Sequence, residues 1–425
     1  MTAIFLTWKC LTRVVMAVLL LVTCALTQAQ AANAATSSAT WVSQESAADN
    51  TWKSVVYANG MFVAVAAGGS EIGHQVMTSP DGVSWTSRVT PTNSFNSSGT
   101  FFWYSVTYGN GIFVAVAGSG TGHDVMTSTD GITWTLQTTF ANIYWSSLTY
   151  GNGVFVAVAS PSGTPFAQVM TSPDGVSWTL QTSAADNYWN SITFGNGQFV
   201  AVAVYGPNQV MTSPDGINWS AHSSSVDHFW MSVTYGNGQF VAVGINCILD
   251  CVMTSPDGIN WSTRNVSTVN QWQAVTFGNG IFMAVAGSGA GNRAMSSPDG
   301  ITWTSQTSAS DNTWQAVTFA QGIFVAVSSS GVGNRVMTST GPSSYSSDPE
   351  TWVVIAQSLP LSANGTCQFL DDSVAAYGTT LTGGWMRSWQ PWVNPTLGPD
   401  GQRIGGWGCI RTMINKGNGV WEIAN

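Results

Sequence analysis

Charge is what this chain has least of. Only 7% of its 425 residues are Asp, Glu, Lys or Arg, against about 25% in ordinary soluble domains. Lys and Glu, which usually cover exposed helices, are scarce, while Gly (45) and Trp (21) are abundant. That balance excludes a helical protein and points to an all-β, turn-rich fold. Disorder is excluded too, because 44% of residues are hydrophobic and 12% aromatic. The formal net charge of −9 argues against nucleic acid or an anionic membrane as partner. The sequence has no P-loop, no Gly-rich dinucleotide turn and no His/Cys/Asp metal cluster, so no cofactor and no metal are expected.

The first segment reads as an export signal over residues 1–31. Lys9 and Arg13 precede an apolar run from Val14 to Leu26, followed by Ala29-Gln30-Ala31 and Ala32-Asn33-Ala34. The run is too short to span a bilayer comfortably, so no transmembrane segment is expected in the mature chain. The expected location is secreted or periplasmic. A rival reading anchors a lipoprotein through Cys24, since Leu21-Val22-Thr23-Cys24 loosely resembles a lipobox. Beyond the signal four cysteines are left. In an exported protein they are expected to pair as Cys247–Cys251 and Cys367–Cys409. Zinc is the weaker reading, because the spacing is wrong and no His is near either pair in sequence.

One unit recurs through the chain: W-x-S-V-T-Y-G-N-G-x-F-V-A-V-A, a variable loop, then V-M-T-S-P-D-G-x-x-W-T. Its first Trp falls at Trp52, Trp103, Trp145, Trp189, Trp230, Trp272 and Trp314. A period near 42 residues with several short strands per unit predicts a β-propeller of seven blades over residues 39–341. Strand A starts at the Trp and an Asn-Gly type I′ turn leads to strand B, F-V-A-V-A. Strand C is V-M-T-S, and strand D carries the second Trp. The seventh unit lacks strand D. Its text reappears at the front of the chain, where Trp41 to Trp52 copies the spacing of Trp303 to Trp314. The strand at Trp41 should therefore complete blade seven and remove the open sheet edges. Residues 342–350 read as a linker, and 351–425 as a small Trp-rich, β-rich domain with one disulfide.

Ser79-Pro80-Asp81-Gly82-Val83-Ser84-Trp85 and its copies at Asp130, Asp174, Asp215, Asp257 and Asp299 resemble the Asp-box, or BNR, repeat of sialidase-like propellers. The box is one residue shorter than the usual spacing. The resemblance implies the fold, with Asp capping the C–D turn, Gly supplying its backbone angles and Trp packing between blades. It also invites a glycoside hydrolase reading. The family's Arg-Ile-Pro motif is absent, however, and the propeller has only two Glu, Glu45 and Glu71. Other glycosidases of this fold use paired carboxylates, and Asp49, Asp186, Asp227 and Asp311, which recur three residues before the strand-A Trp, could supply a pair.

A non-catalytic binding or adhesion propeller is the preferred reading, with a glycan or a surface protein as partner. The alternatives are a glycoside hydrolase and a periplasmic or cell-surface assembly scaffold. In an antiparallel blade the Asn-Gly turns and Asp-boxes share one face, which barely varies between units, and the D–A and B–C loops share the other. Every ionisable group outside the boxes falls on that variable face. The residue before the strand-A Trp is Phe102, Tyr144, Tyr188 and Phe229 in four consecutive blades. These rings, with Phe95 in the long loop of blade two, form the expected ligand surface. Arg264, Arg293 and Arg335 flank it and suggest an anionic ligand.

Overall fold

The computed structural model describes residues 39–341 apart from residues 71, 93–100, 119–121, 141–142 and 162–165, and three further strands near the C-terminus. Phe95, Cys367, Cys409, the segment 1–31 and the linker 342–350 lie outside the described residues.

Seven four-stranded antiparallel sheets form the propeller. In blade one, strand A is Trp52–Ala58, B is Met61–Ala66, C is Val76–Ser79 and D is Thr86–Arg88. The Asn-Gly turns adopt the left-handed angles a type I′ hairpin requires, for example φ of 49° and 76° at Asn196 and Gly197. Strand B is buried on both sides, with Phe62 through Ala66 fully inaccessible. Its alternation of large and small residues therefore packs against a neighbouring blade on each face.

Blade seven is closed by the front of the chain. Val42–Gln44 pairs antiparallel with Val336–Ser339 in the register Val42↔Thr338, and Trp41 joins the core of that blade. The ring thus has no open edge between its first and last blades.

Two devices stitch adjacent blades. The hydroxyls of Ser54, Ser105, Ser147, Ser191 and Ser232 each accept the backbone N–H of the next blade's strand A, as from Val106 to Ser54 Oγ at 3.2 Å. At the far end of strand A, Gly109, Gly151, Gly195, Gly236 and Gly278 let the next blade's aromatic ring lie flat on the backbone. A Cβ on Gly109 would fall 2.1 Å from Tyr150. The seven strand-A Trp are fully buried, which assigns them to packing.

Near the C-terminus Val353–Ala356, Ile410–Asn415 and Trp421–Ile423 form a separate three-stranded antiparallel sheet.

Candidate functional site

The invariant face is built by local hydrogen bonding. In each of the six complete boxes the Ser hydroxyl donates to the Asp carboxylate, at 2.9 Å from Ser79 to Asp81. The same carboxylate oxygen accepts the backbone N–H groups two and three residues on, Val83 at 2.9 Å and Ser84 at 2.8 Å. The second Trp donates its indole N–H to the box Gly carbonyl, 3.0 Å from Trp85 to Gly82. Hydrogen bonds from the N–H groups of Ser84 and Val83 hold the Asp81 carboxyl down at about 2. Asp130 is likewise held at about 2, first by Thr133 and then by Ile132. Asp174, Asp215, Asp257 and Asp299 are lowered too, each with the same pair of N–H bonds. Asn-Gly turns lean on boxes in other blades, as when Asn110 Nδ2 donates to the Pro173 carbonyl at 3.2 Å. These groups carry the fold.

The variable face is best read by position relative to the strand-A Trp. Three residues before it, an Asp braces the loop of the preceding blade. Asp49 Oδ1 accepts the Gly333 N–H at 2.8 Å, Asp311 Oδ1 accepts Gly291 N–H at 2.7 Å, and Asp186 Oδ1 accepts Gln168 Nε2 at 2.6 Å. These carboxylates are distributed around the disc, one to a blade junction. Two residues before the Trp the side chain turns inward. Asn50, Asn187, Asn270 and Asn312 are buried and tie the B–C loop of their own blade, with Asn312 Nδ2 on the Asn334 carbonyl at 2.8 Å. Phe101 and Ile143 fill the same place with apolar bulk.

The residue just before the Trp points outward. Tyr144, Tyr188 and Phe102 are 51%, 48% and 38% exposed, and Phe229 is half-buried. Tyr205, on the B–C loop of blade four, adds a ring that sequence reasoning did not single out. It lies edge-on to Tyr188 at 5.6 Å and tilted against Phe229 at 4.4 Å, and it is 50% exposed. Tyr188, Tyr205 and Phe229 therefore make one continuous aromatic surface across blades four and five.

The three arginines do not form one group. Arg264 sits on the outer strand, with Nε on Thr254 Oγ1 at 2.9 Å. Arg88, Gln137, Gln181 and Gln306 make the same clamp in their blades. Arg293 and Arg335 are mostly buried and knit loops together. Arg335 donates to the carbonyls of Gly331, Ser329 and Asn50 and lies 3.4 Å from Asp49. Arg293 does the same with Gly289, Gly287 and Asn312, 3.6 Å from Asp311.

One residue after the Trp lies the position that the repeat W-x-S leaves blank. Pairing between strands A and B skips a residue there in all seven blades, between Trp52 and Ser54 and at each counterpart. Such a bulge turns its extra side chain off the sheet. Here the seven bulged residues are Lys53, Tyr104, Ser146, Asn190, Met231, Gln273 and Gln315, and all line one central cavity of about 540 Å³. Tyr144, Gly118 and Ser160 belong to the same cavity, and Val55, Val275 and Val317 give it apolar walls. Lys53 Nζ donates to Gln315 Oε1 at 2.7 Å and stands 6.0 Å from the centre of the Tyr104 ring. Burial holds its ammonium below the usual lysine range. The sequence signal for this ring was the blank itself: an unfixed residue wedged between an invariant Trp and a nearly invariant Ser.

Cys247 and Cys251 form the expected disulfide, with Cα atoms 5.3 Å apart. Among the described residues no group of three His, Cys, Asp or Glu is placed to hold a metal ion, and no helix is long and apolar enough to cross a membrane.

No family model matches the chain, and no curated protein does either. Solved structures share the fold. Virginiamycin B lyase from Staphylococcus aureus aligns at a TM-score of 0.57 with 10% identity, over 71% of this chain and 99% of that one. YCF48 bound to D1 peptide aligns at 0.53 with 13% identity, over 70% and 96%. A streptogramin B lyase aligns at 0.58 with 9% identity, over 71% and 97%. At such identities the likeness concerns the seven-bladed propeller alone.

Proposed function

We propose that this protein is an exported, non-catalytic binding module that holds a macromolecular ligand on its variable face, as an adhesion or assembly-scaffold propeller of the Asp-box type. The observation that carries the reading is the exposed aromatic surface of Tyr188, Tyr205 and Phe229; on blade three, the exposed Tyr144 stands at the central cavity. Exposed rings grouped in this way favour a ligand site, because large apolar side chains otherwise withdraw from water. The Cys247–Cys251 disulfide fits an oxidising compartment outside the cytoplasm.

A glycan or a surface protein fits such a face. The rings are inclined to each other by 75° and 57°, which offers notches for side chains rather than one flat platform for a sugar. That geometry favours polypeptide, and YCF48, a propeller of similar shape, is bound to a peptide. The hydrolase reading is less favoured, because Asp49, Asp186 and Asp311 each brace a separate loop.

Purified protein screened on a glycan array and on a panel of immobilised surface proteins tests the reading. Binding should weaken about fivefold or more on Tyr188→Ala or Tyr205→Ala, about 1 kcal/mol each. Glycoside turnover abolished by Asp186→Asn would instead establish the hydrolase.

A further inference from the structure

The propeller has a single lysine, Lys53, and the fold places it inside the disc, on the wall of the central cavity. Lys53 is half-buried there, and its ammonium carries three donors that need partners. Among the described residues Lys53 has one hydrogen-bond acceptor, the neutral amide oxygen of Gln315. Arg293 and Arg335 each have a carboxylate within 4 Å, whereas no described acidic residue lines the cavity of Lys53. The cation thus keeps donors for which its own walls supply no anion.

The ring around it is also where the seven blades disagree. The Trp before the bulge is identical in every blade, while the bulge carries Lys, Tyr, Ser, Asn, Met and two Gln. Seven copies of one unit agree where the fold constrains them; Ser146 and Asn190 still donate to the Trp189 and Met231 carbonyls of the next blade, both at 2.6 Å, which leaves Lys53, Tyr104, Met231, Gln273 and Gln315 as the wall open to a ligand. One charge in a neutral, uneven ring gives the cavity a direction: a ligand enters with its anion toward blade one.

Building on the reading of the variable face as a polypeptide-binding surface, we infer that the central cavity receives an acidic side chain of the bound polypeptide. Its carboxylate lies on Lys53 Nζ, and its methylenes lie against Tyr104 and the apolar wall of Val55 and Val317. The compact ammonium suits a single carboxylate. The choice of polypeptide follows from the inclined rings of the variable face, since the cavity lining itself, with Ser146, Asn190, Gln273 and Gln315 beside the valines, has partners for hydroxyls and carboxylates alike.

The test is calorimetric titration of the mature chain at low salt with a capped hexaglutamate peptide. Capped hexaglutamine is the neutral control and hexagalacturonate the sugar control. Hexaglutamate should bind and hexaglutamine should not. Lys53→Met should weaken hexaglutamate at least tenfold while leaving the melting temperature in place. Equal affinity in Lys53→Met, or no binding of hexaglutamate, overturns the inference. Lys53-dependent binding of hexagalacturonate in its place overturns the choice of polypeptide. If Lys53→Met does not fold, trace acetylation of the wild type replaces it. Hexaglutamate should slow labelling of Lys53 at least tenfold, and an unchanged rate refutes the site. Tyr188→Ala separates this inference from the broader reading. If that variant loses hexaglutamate while Lys53→Met does not, the cavity is excluded and the aromatic face stands. If only Lys53→Met loses it, the cavity stands and the aromatic surface does not.

Discussion

Trp272 and Gln273 are neighbours in sequence and opposites in role. Trp272 is fully buried between blades and is repeated in every blade. Gln273 is the bulged residue beside it, facing the central cavity, and its counterparts differ around the ring. The same contrast separates the two faces of the disc. On one, six boxes repeat the same hydrogen bonds almost to the tenth of an ångström. On the other, loops and rings differ from blade to blade. Repetition within one chain thus sorts residues by physical duty: what packing and backbone hydrogen bonding demand is copied from blade to blade, and what they leave open is free to meet a ligand.

The sharpest way to break this contrast is to alter the two neighbours separately. Trp272→Ala should cost about 3–5 kcal/mol, since it leaves a cavity between two blades. Gln273→Ala should stay within about 0.5 kcal/mol. Denaturant melts of the two variants check this, and a comparable loss in both would erase the distinction.

A smaller effect is expected from the inward position before the Trp. Asn312→Ala leaves the partly buried carbonyl of Asn334 without its partner and should cost about 1–2 kcal/mol. Thr313→Ala, one residue nearer the surface, removes only the acceptor of the Ser330 hydroxyl and should cost less, about 1 kcal/mol at most.

The box face predicts a pH dependence of modest size. Its carboxyls titrate lower in the folded chain than the ordinary value near 4, about 2 for Asp81 and Asp130. A depressed folded pKa gives stability that is complete above the unfolded pKa and lost as pH falls toward the folded one. The melting temperature should therefore be flat from pH 7 to about 5 and fall between about 4 and 2. These carboxylates are exposed, so each box should contribute no more than about 1 kcal/mol. Asp215→Asn should lower stability at pH 7 and flatten the acid slope. An unchanged slope would mean that the boxes do not carry it.

The parts of this fold that were legible in sequence are those with a strict local requirement. Asn-Gly announces a left-handed turn, the box announces its cap, and the duplicated text around Trp41 and Trp303 announces the closing strand. The rings at Phe102, Tyr144 and Tyr188 were legible as candidates because they replace Thr or Gln at an equivalent position. The cavity ring was not, since an alternating strand model gives the residue after the Trp no distinct direction, and only the bulge aims it inward. Tyr205 was hidden in a loop with no counterpart in the other blades. Arg264 read as a ligand group because its charge stood out, although Gln137, Gln181 and Gln306 occupy the same clamp. Comparing blades position by position, before weighing charge, separates such clamps from Lys53.

The most direct measurement replaces the distinctive ring residues with the one that blades six and seven already carry. A triple variant, Lys53→Gln, Tyr104→Gln and Met231→Gln, is compared with the wild type in melting temperature and in ligand binding. A melting temperature within a few degrees of the wild type and loss of binding are expected. A variant that binds as well as the wild type but melts far lower would show that the ring serves the fold, and would contradict the division of duties between the buried Trp and its bulged neighbour.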